Sequence, residues 1–144
     1  MAKWPTAGLE ETHAIPVVSE DGAFVVPVLV NGEVTLKFVV DSGAADVSIP
    51  ADVARTLMRT GSLKLADITG KQSYRLADGS TMASKTINIR SLKVGDIVVE
   101  NVEGTVTPSE GSLLLGQTFL SRFSSWSIDN ANRLLLLKQA SSRT

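Results

Sequence analysis

Residues 39 to 44 read Val39-Val40-Asp41-Ser42-Gly43-Ala44, so a strand-like apolar run ends on a carboxylate that is followed by a hydroxyl residue, a glycine and a small residue. Gly43 lets the backbone turn sharply and brings its N–H toward the carboxylate. A carboxylate on such a turn can take a proton from water, but hydrolysing a peptide bond without a covalent intermediate needs a second, protonated carboxyl to polarise the carbonyl. The chain carries the Asp-Ser-Gly tripeptide once. One chain therefore holds half a site, and a symmetric homodimer that faces Asp41 with its twin completes it.

Two carboxylates a few ångströms apart cannot both ionise cheaply, so such a pair holds one proton between them. The ionised member serves as base and the protonated member as acid. Ser42 has a structural part in this scheme, because a hydroxyl beside each Asp can hydrogen-bond to backbone across the interface and keep the carboxylates coplanar. The bland reading of the tripeptide is an ordinary turn. What favours the chemical one is order along the chain: Val39-Val40 before the turn, a helix opening at Pro50 after it, then a polar Asp-Gly hairpin, then an apolar triplet ending in Gly116.

The elements that must position these residues are short strands punctuated by turns. Ala23 to Val30 and Glu33 to Val40 are β-branched runs flanking Asn31-Gly32, the strongest two-residue hairpin signal. In the second run Val34, Leu36, Phe38 and Val40 alternate with Glu33, Thr35 and Lys37, which predicts one buried face. Val53, Ala54, Leu57 and Met58 recur at helical spacing between Pro50 and Thr60, with Gly61 just beyond, and predict a short helix. A polar hairpin is expected from Ser73 to Leu76, through Ala77-Asp78-Gly79-Ser80, and back from Thr81. Thr86 to Val94 and Ile97 to Val106 form another around Gly95-Asp96. Leu113 to Gly116 leads into a helical turn at Gln117 to Phe123, and strands at Ser125 to Ile128 and Arg133 to Lys138 flank the turn at Asp129 to Asn132. The sum is a mainly β chain with one or two short helices.

Composition narrows the function classes. At 144 residues with 43% apolar content the chain suits one domain with a real core, set here at residues 12 to 140 between loose segments at 1 to 11 and 141 to 144. Fourteen basic and fifteen acidic residues leave a net charge of −1, which offers no field for nucleic acid and no reason to seek a charged membrane surface. No run approaches the ~20 apolar residues of a membrane span. Without cysteine, disulfide scaffolds, thiol catalysis and thiolate metal sites are excluded together, and the single His13 excludes a multi-histidine metal site. A Ser-His-Asp arrangement through His13 is the remaining nucleophilic alternative, although no Ser here sits in a Gly-x-Ser-x-Gly elbow.

Over residues 22 to 138 the chain resembles the retropepsin-like aspartic proteases, including their bacterial single-domain members. Asp41-Ser42-Gly43-Ala44 resembles the catalytic Asp-Thr/Ser-Gly-Ala of that family, and Leu114-Leu115-Gly116-Gln117 resembles its apolar-apolar-Gly element, which packs beneath the catalytic turn. Ala77-Asp78-Gly79-Ser80 is similar to the tip of the flap that closes on bound peptide, and Thr107-Pro108 to the loop lining pockets beside the scissile bond. The resemblance implies a closed β-barrel monomer, an aspartic endopeptidase working as a homodimer on extended peptide, and no metal or other cofactor. The alternative is a protease-like peptide-binding or dimerisation module with weak or no hydrolysis, since competent and idle dimers share these motifs. Since many bacterial relatives resemble tethered enzymes, the chain also fits the soluble domain of an anchored protein, with the compartment open. Ala45 and Gln117 stand where many retroviral members carry a mutually paired acid and Arg.

Other residues have plainer readings. Asp46 reads as a solvated loop carboxylate or a substrate contact, Asp78 and Asp129 as turn residues, and Arg55 with Arg59 as a solvated helix face. Trp126 reads as core or rim packing, Trp4 as a mobile terminal residue and Tyr74 as a partly exposed strand residue. Leu134 to Leu137, apolar on both faces, reads either as plain core or as a strand completing a sheet with another subunit.

Overall fold

The Asn31-Gly32 pair makes the hairpin that its chemistry predicts. Asn31 and Gly32 take φ values of 52° and 70°, and the Glu33 N–H closes the turn on the Val30 carbonyl at 3.0 Å, which joins β3 (Ala23–Val30) to β4 (Val34–Val40) in antiparallel register. Both central residues at positive φ give the turn the twist that matches its strands. Asn31 is also a brace. Its side chain is buried, donating to the Ser62 carbonyl at 2.7 Å and accepting from the Ser91 N–H at 3.0 Å.

The computed structural model describes residues 10–75, 77–108 and 111–140. Of the segment expected to be loose at 1 to 11, residues 1 to 9 lie outside the described residues, while Glu10 and Glu11 are strand, paired with Ala140 and Gln139 at the far end of the chain. Residues 141 to 144, the strand end at Leu76 and the Tyr74 side chain also lie outside the described residues, as does Trp4. Along the chain run β1 (Glu10–Pro16), β2 (Val18–Glu20), β3, β4, β5 (Val47–Pro50), α1 (Ala51–Thr60), a 3-10 turn at Leu65–Asp67, β6 (Ile68–Arg75), β7 (Thr81–Val94), β8 (Ile97–Thr107), β9 (Leu113–Leu115), α2 (Gln117–Leu120), β10 (Ser125–Asp129) and β11 (Leu134–Ala140). Eight strands form one sheet in the order β2-β3-β4-β9-β5-β8-β7-β6, and a further β3–β7 pairing closes the run from β3 to β7 on itself. Closure removes the free edges that an open sheet would expose.

Inside that ring lies the core: of the alternating run only Phe38 is fully buried, while Val34, Leu36 and Val40 are half-buried against it. Val26, Val28, Val30, Phe38, Val47 and Ile49 are all fully buried, with Phe119 and Leu120 of α2 packed among them. Helix α1 buries Ala54 and Leu57, and ends on Gly61 at φ 86°, the left-handed position that glycine takes without strain. Arg55 and Arg59 are exposed, as a solvated face requires. Among the described residues no helix is long and apolar enough to cross a membrane.

Two expectations change. The polar hairpin and the one around Gly95-Asp96 share a single long strand, β7, which pairs with β6 on one edge and β8 on the other. The terminal leucine strand, read as core or as an element reaching for another subunit, is the centre of a three-stranded sheet within one chain, with β1 on one side and β10 on the other. Both backbone edges of β11 are thereby used. Leu135 and Leu137 face the core at 0% exposure, while Leu134 and Leu136 are half-buried on the opposite face. Strand β1, starting at Glu10, takes the edge that the sequence left available, because its residues carry little alternation and its partner lies at the far end of the chain.

His13 belongs to that sheet. Its Nδ1 lies 3.3 Å from Asp96 Oδ1 in the β7–β8 turn and its Nε2 lies 3.7 Å from Glu11, with no hydrogen-bond partner on Nε2. Among the described residues neither nitrogen meets a serine hydroxyl. The Ser-His-Asp alternative is therefore set aside, and His13 serves to join β1 to the barrel.

Candidate active site

Asp41 leaves the end of β4, and the parallel neighbour β9 decides where it goes. Val39 and Val40 register against Leu114 and Leu115, and the ladder continues one step further as the Asp41 N–H donates to the Leu115 carbonyl at 3.1 Å. The turn then closes twice. The Ala44 N–H donates to the Asp41 carbonyl at 3.2 Å, and the Gly43 N–H donates to Asp41 Oδ1 at 2.9 Å. Asp41 is half-buried, whereas Ser42 and Gly43 are exposed. The result is a carboxylate oriented by backbone and open on one side.

Beneath this turn sits the Leu114-Leu115-Gly116 element and the single turn of α2. The first N–H groups of a helix lack partners within it; here those of Gln117 and Thr118 donate to the carbonyls of Ala44 and Ala45 at 2.8 and 3.1 Å. The Asp41 turn and the helix thus satisfy each other's backbone. Gly116 is a packing requirement, since a β-carbon there would stand 2.2 Å from the Asp46 carbonyl oxygen and 2.6 Å from that of Ala44.

Three side chains add connections that the sequence did not reveal. Gln117 Nε2 donates to the Ser42 carbonyl at 2.9 Å, so the residue standing where relatives carry Arg still reaches back to the turn. Thr118 Oγ1 accepts from the Val47 N–H at 3.0 Å and donates to the Glu103 carbonyl at 2.7 Å. Asp46, expected as a solvated loop residue or a substrate contact, is half-buried and accepts from the Thr105 hydroxyl at 2.6 Å. These partners lie far apart in sequence. Thr105 is 1% exposed, but with Glu103, Gly104 and Thr107 as neighbours nothing in the sequence marked it as a buried partner.

The expected flap is the hairpin of β6 and β7, with Ala77, Asp78, Gly79 and Ser80 all exposed at its tip. Asp78 Oδ1 accepts from the Ser80 N–H at 2.9 Å and from its hydroxyl at 2.6 Å. The Ser80 hydroxyl first, and its N–H second, hold the Asp78 carboxyl below its ordinary value. Gly79 supplies the positive φ of 91°. Thr107 and Pro108 line a cavity of about 500 Å³ whose other walls come from α1, β6 and β7. Asp41, Ser42 and the tip residues do not line it. Among the described residues no group of histidine, aspartate and glutamate could hold a metal ion.

A family model described as "gag-polyprotein putative aspartyl protease" matches residues 26 to 122, a span running from β3 past α2. The chain belongs to the retropepsin-like aspartic proteases. A crystal structure of a retropepsin-like aspartic protease from Rickettsia conorii superposes with a TM-score of 0.62 at 29% identity, covering 89% of this chain and 98% of that one. An uncharacterized protein of Rickettsia prowazekii, RP867, is 31% identical over 128 residues, covering 88% of this chain and 51% of the relative. The chain thus spans about half the length of that curated relative. For a retropepsin-like chain the mainly β barrel, the Asp-Ser-Gly-Ala turn and the apolar-apolar-Gly support appear in the expected order.

Proposed function

We propose that this retropepsin-like chain is one half of an aspartic endopeptidase. Two copies meet across a two-fold axis, Asp41 and its twin share one proton, and the ionised member takes a proton from the water that attacks the scissile carbonyl. The protonated member donates to the carbonyl oxygen, so no covalent intermediate forms and no metal or cofactor takes part. The substrate is an extended peptide that pairs as an added strand with the hairpin closing through Ala77 to Ser80. Ser42 holds the paired carboxylates coplanar, and Thr107 with Pro108 borders the side-chain pockets.

The observation that carries this reading is the state of Asp41: a half-buried carboxylate, oriented by the Gly43 N–H on a turn tied to β9 and α2, whose open side has no second carboxylate of the same turn to work with. Asp46, the other acid of the segment, is occupied by Thr105. Replacing Asp41→Asn keeps the shape and removes the acid–base function. Cleavage of a peptide library should disappear while sedimentation shows the same dimer as the parent chain. Continued cleavage by the pure variant overturns the mechanism, and a dimeric parent that cleaves nothing in the library leaves a binding module instead.

A further inference from the structure

The cavity beside Thr107 and Pro108 combines an apolar interior with an unbalanced rim. Ala54 and Met58 of α1, with Leu63, Ile68, Ile87 and Val106, supply the interior, and its volume of about 500 Å³ lies within the range of small-molecule sites. Arg55 of α1, Lys71 of β6 and Lys85 of β7 also line it, and among the described residues no carboxylate does. Lys71 and Lys85 are directly opposed across the hairpin, and both are exposed. Like charges placed opposite each other on antiparallel strands repel. Among the described residues none of the three cations makes an ion pair. Three positive charges thus line one oily cleft with no balancing anion among the described residues.

We propose that this cavity binds a small amphiphilic carboxylate, its apolar chain lying between α1 and the root of the hairpin and its carboxylate held by Lys71, Lys85 and Arg55. Thr107 and Pro108, which border the side-chain pockets in the proposed function, form one wall of it. A free amphiphile still suits the site better than a substrate side chain, because neither Asp41 nor the hairpin tip borders it. The Ser84 hydroxyl, which also lines the cavity, donates to the Val106 carbonyl and fixes the hairpin root to β8, so the walls are already in place before a ligand arrives. Nothing in this inference depends on peptide hydrolysis.

Isothermal titration of the full chain with octanoate, octanol and an acidic-apolar tetrapeptide tests it. Octanoate should bind saturably and at least about tenfold more tightly than octanol, since charge-assisted hydrogen bonds to the rim are available only to the acid. Added salt should weaken octanoate binding and leave octanol unchanged. The double replacement Lys71→Ala with Lys85→Ala should lose at least about tenfold in octanoate affinity while the circular dichroism stays that of the parent. Equal binding of octanoate and octanol, no saturable octanoate binding, or tighter binding of the tetrapeptide overturns the proposal. The octanoate-to-octanol comparison uses the parent chain alone, so it decides even if the double variant fails to fold.

Discussion

Gly116 and Asp46 touch through backbone: a β-carbon on Gly116 would lie 2.2 Å from the carbonyl oxygen of Asp46 and 2.8 Å from its carbonyl carbon. No side chain can swing aside to relieve that contact, and the φ of Gly116 is an ordinary −98°. The glycine is needed for space. Gly116→Ala should therefore push the Asp41 turn away from α2 and cost about 3 kcal/mol, the upper part of the range for overpacking. Denaturant unfolding checks this, and a midpoint within error of the parent would show that the turn yields freely.

Asn31 makes a second, independent prediction. Its amide bridges the Ser62 carbonyl and the Ser91 N–H from a buried position, so the first hairpin turn is fastened to the end of α1 and to β7. Asn31→Gly keeps the freedom to adopt positive φ and removes only the amide. The Ser62 carbonyl retains Arg90 Nη2 at 3.0 Å, but the Ser91 N–H loses its partner, which should cost about 2 kcal/mol. Equilibrium unfolding that shows no loss would mean that water replaces the amide.

How much of this was legible in the sequence follows from the range of the interactions. The β3–β4 hairpin and α1 were readable because Asn31-Gly32, the alternation through Phe38, and Gly61 decide structure within a few residues. Asp41 was readable for the same reason, since its motif, its strand and its turn are contiguous. Strand β1 was not, because its place rests on pairing with β11 at the other end of the chain. That omission also left the leucine strand with two readings, core or a sheet completed by another subunit, where the structure has β1 on its edge and Leu135 and Leu137 in the core. Thr118, Gln117 and Asp46 were missed alike: their bonds to Val47, Ser42 and Thr105 span between 59 and 75 residues, and nothing local marks a threonine or glutamine as a bridge.

Two turns predict a response to acid. Asp78 is held below the ordinary value of 3.8 by the Ser80 hydroxyl and N–H, and Asp129 below the same value by the Asn132 side chain and N–H. A depressed carboxylate favours the folded turn fully above the ordinary value, and that contribution fades as pH falls through the depressed one. Both turns should hence keep their caps through mildly acidic conditions. Carbon-detected carboxyl titration should place both midpoints below 3.8, with Ser80→Ala returning Asp78 toward that value and leaving Asp129 where it was. An unmoved Asp78 midpoint in that variant would remove Ser80 as the cause.

Thr118 tests whether α2 holds the active-site segment by its hydroxyl or by its bulk. Its Oγ1 accepts from the Val47 N–H and donates to the Glu103 carbonyl, which links β5, β8 and α2 directly behind the Asp41 turn. Thr118→Val preserves the shape and deletes both bonds. Val47 is fully buried, so its N–H is left without a partner; the Glu103 carbonyl belongs to an exposed residue and can turn to water. The expected loss is about 2 kcal/mol, most of it from Val47. Thr118→Ser keeps the hydroxyl and gives up one methyl group, for a loss of at most about 0.8 kcal/mol. The order Thr, Ser, Val in unfolding midpoint, with peptide cleavage falling in the same sequence, is the outcome that assigns the hydroxyl; Val equal to or above Ser would assign the role to packing.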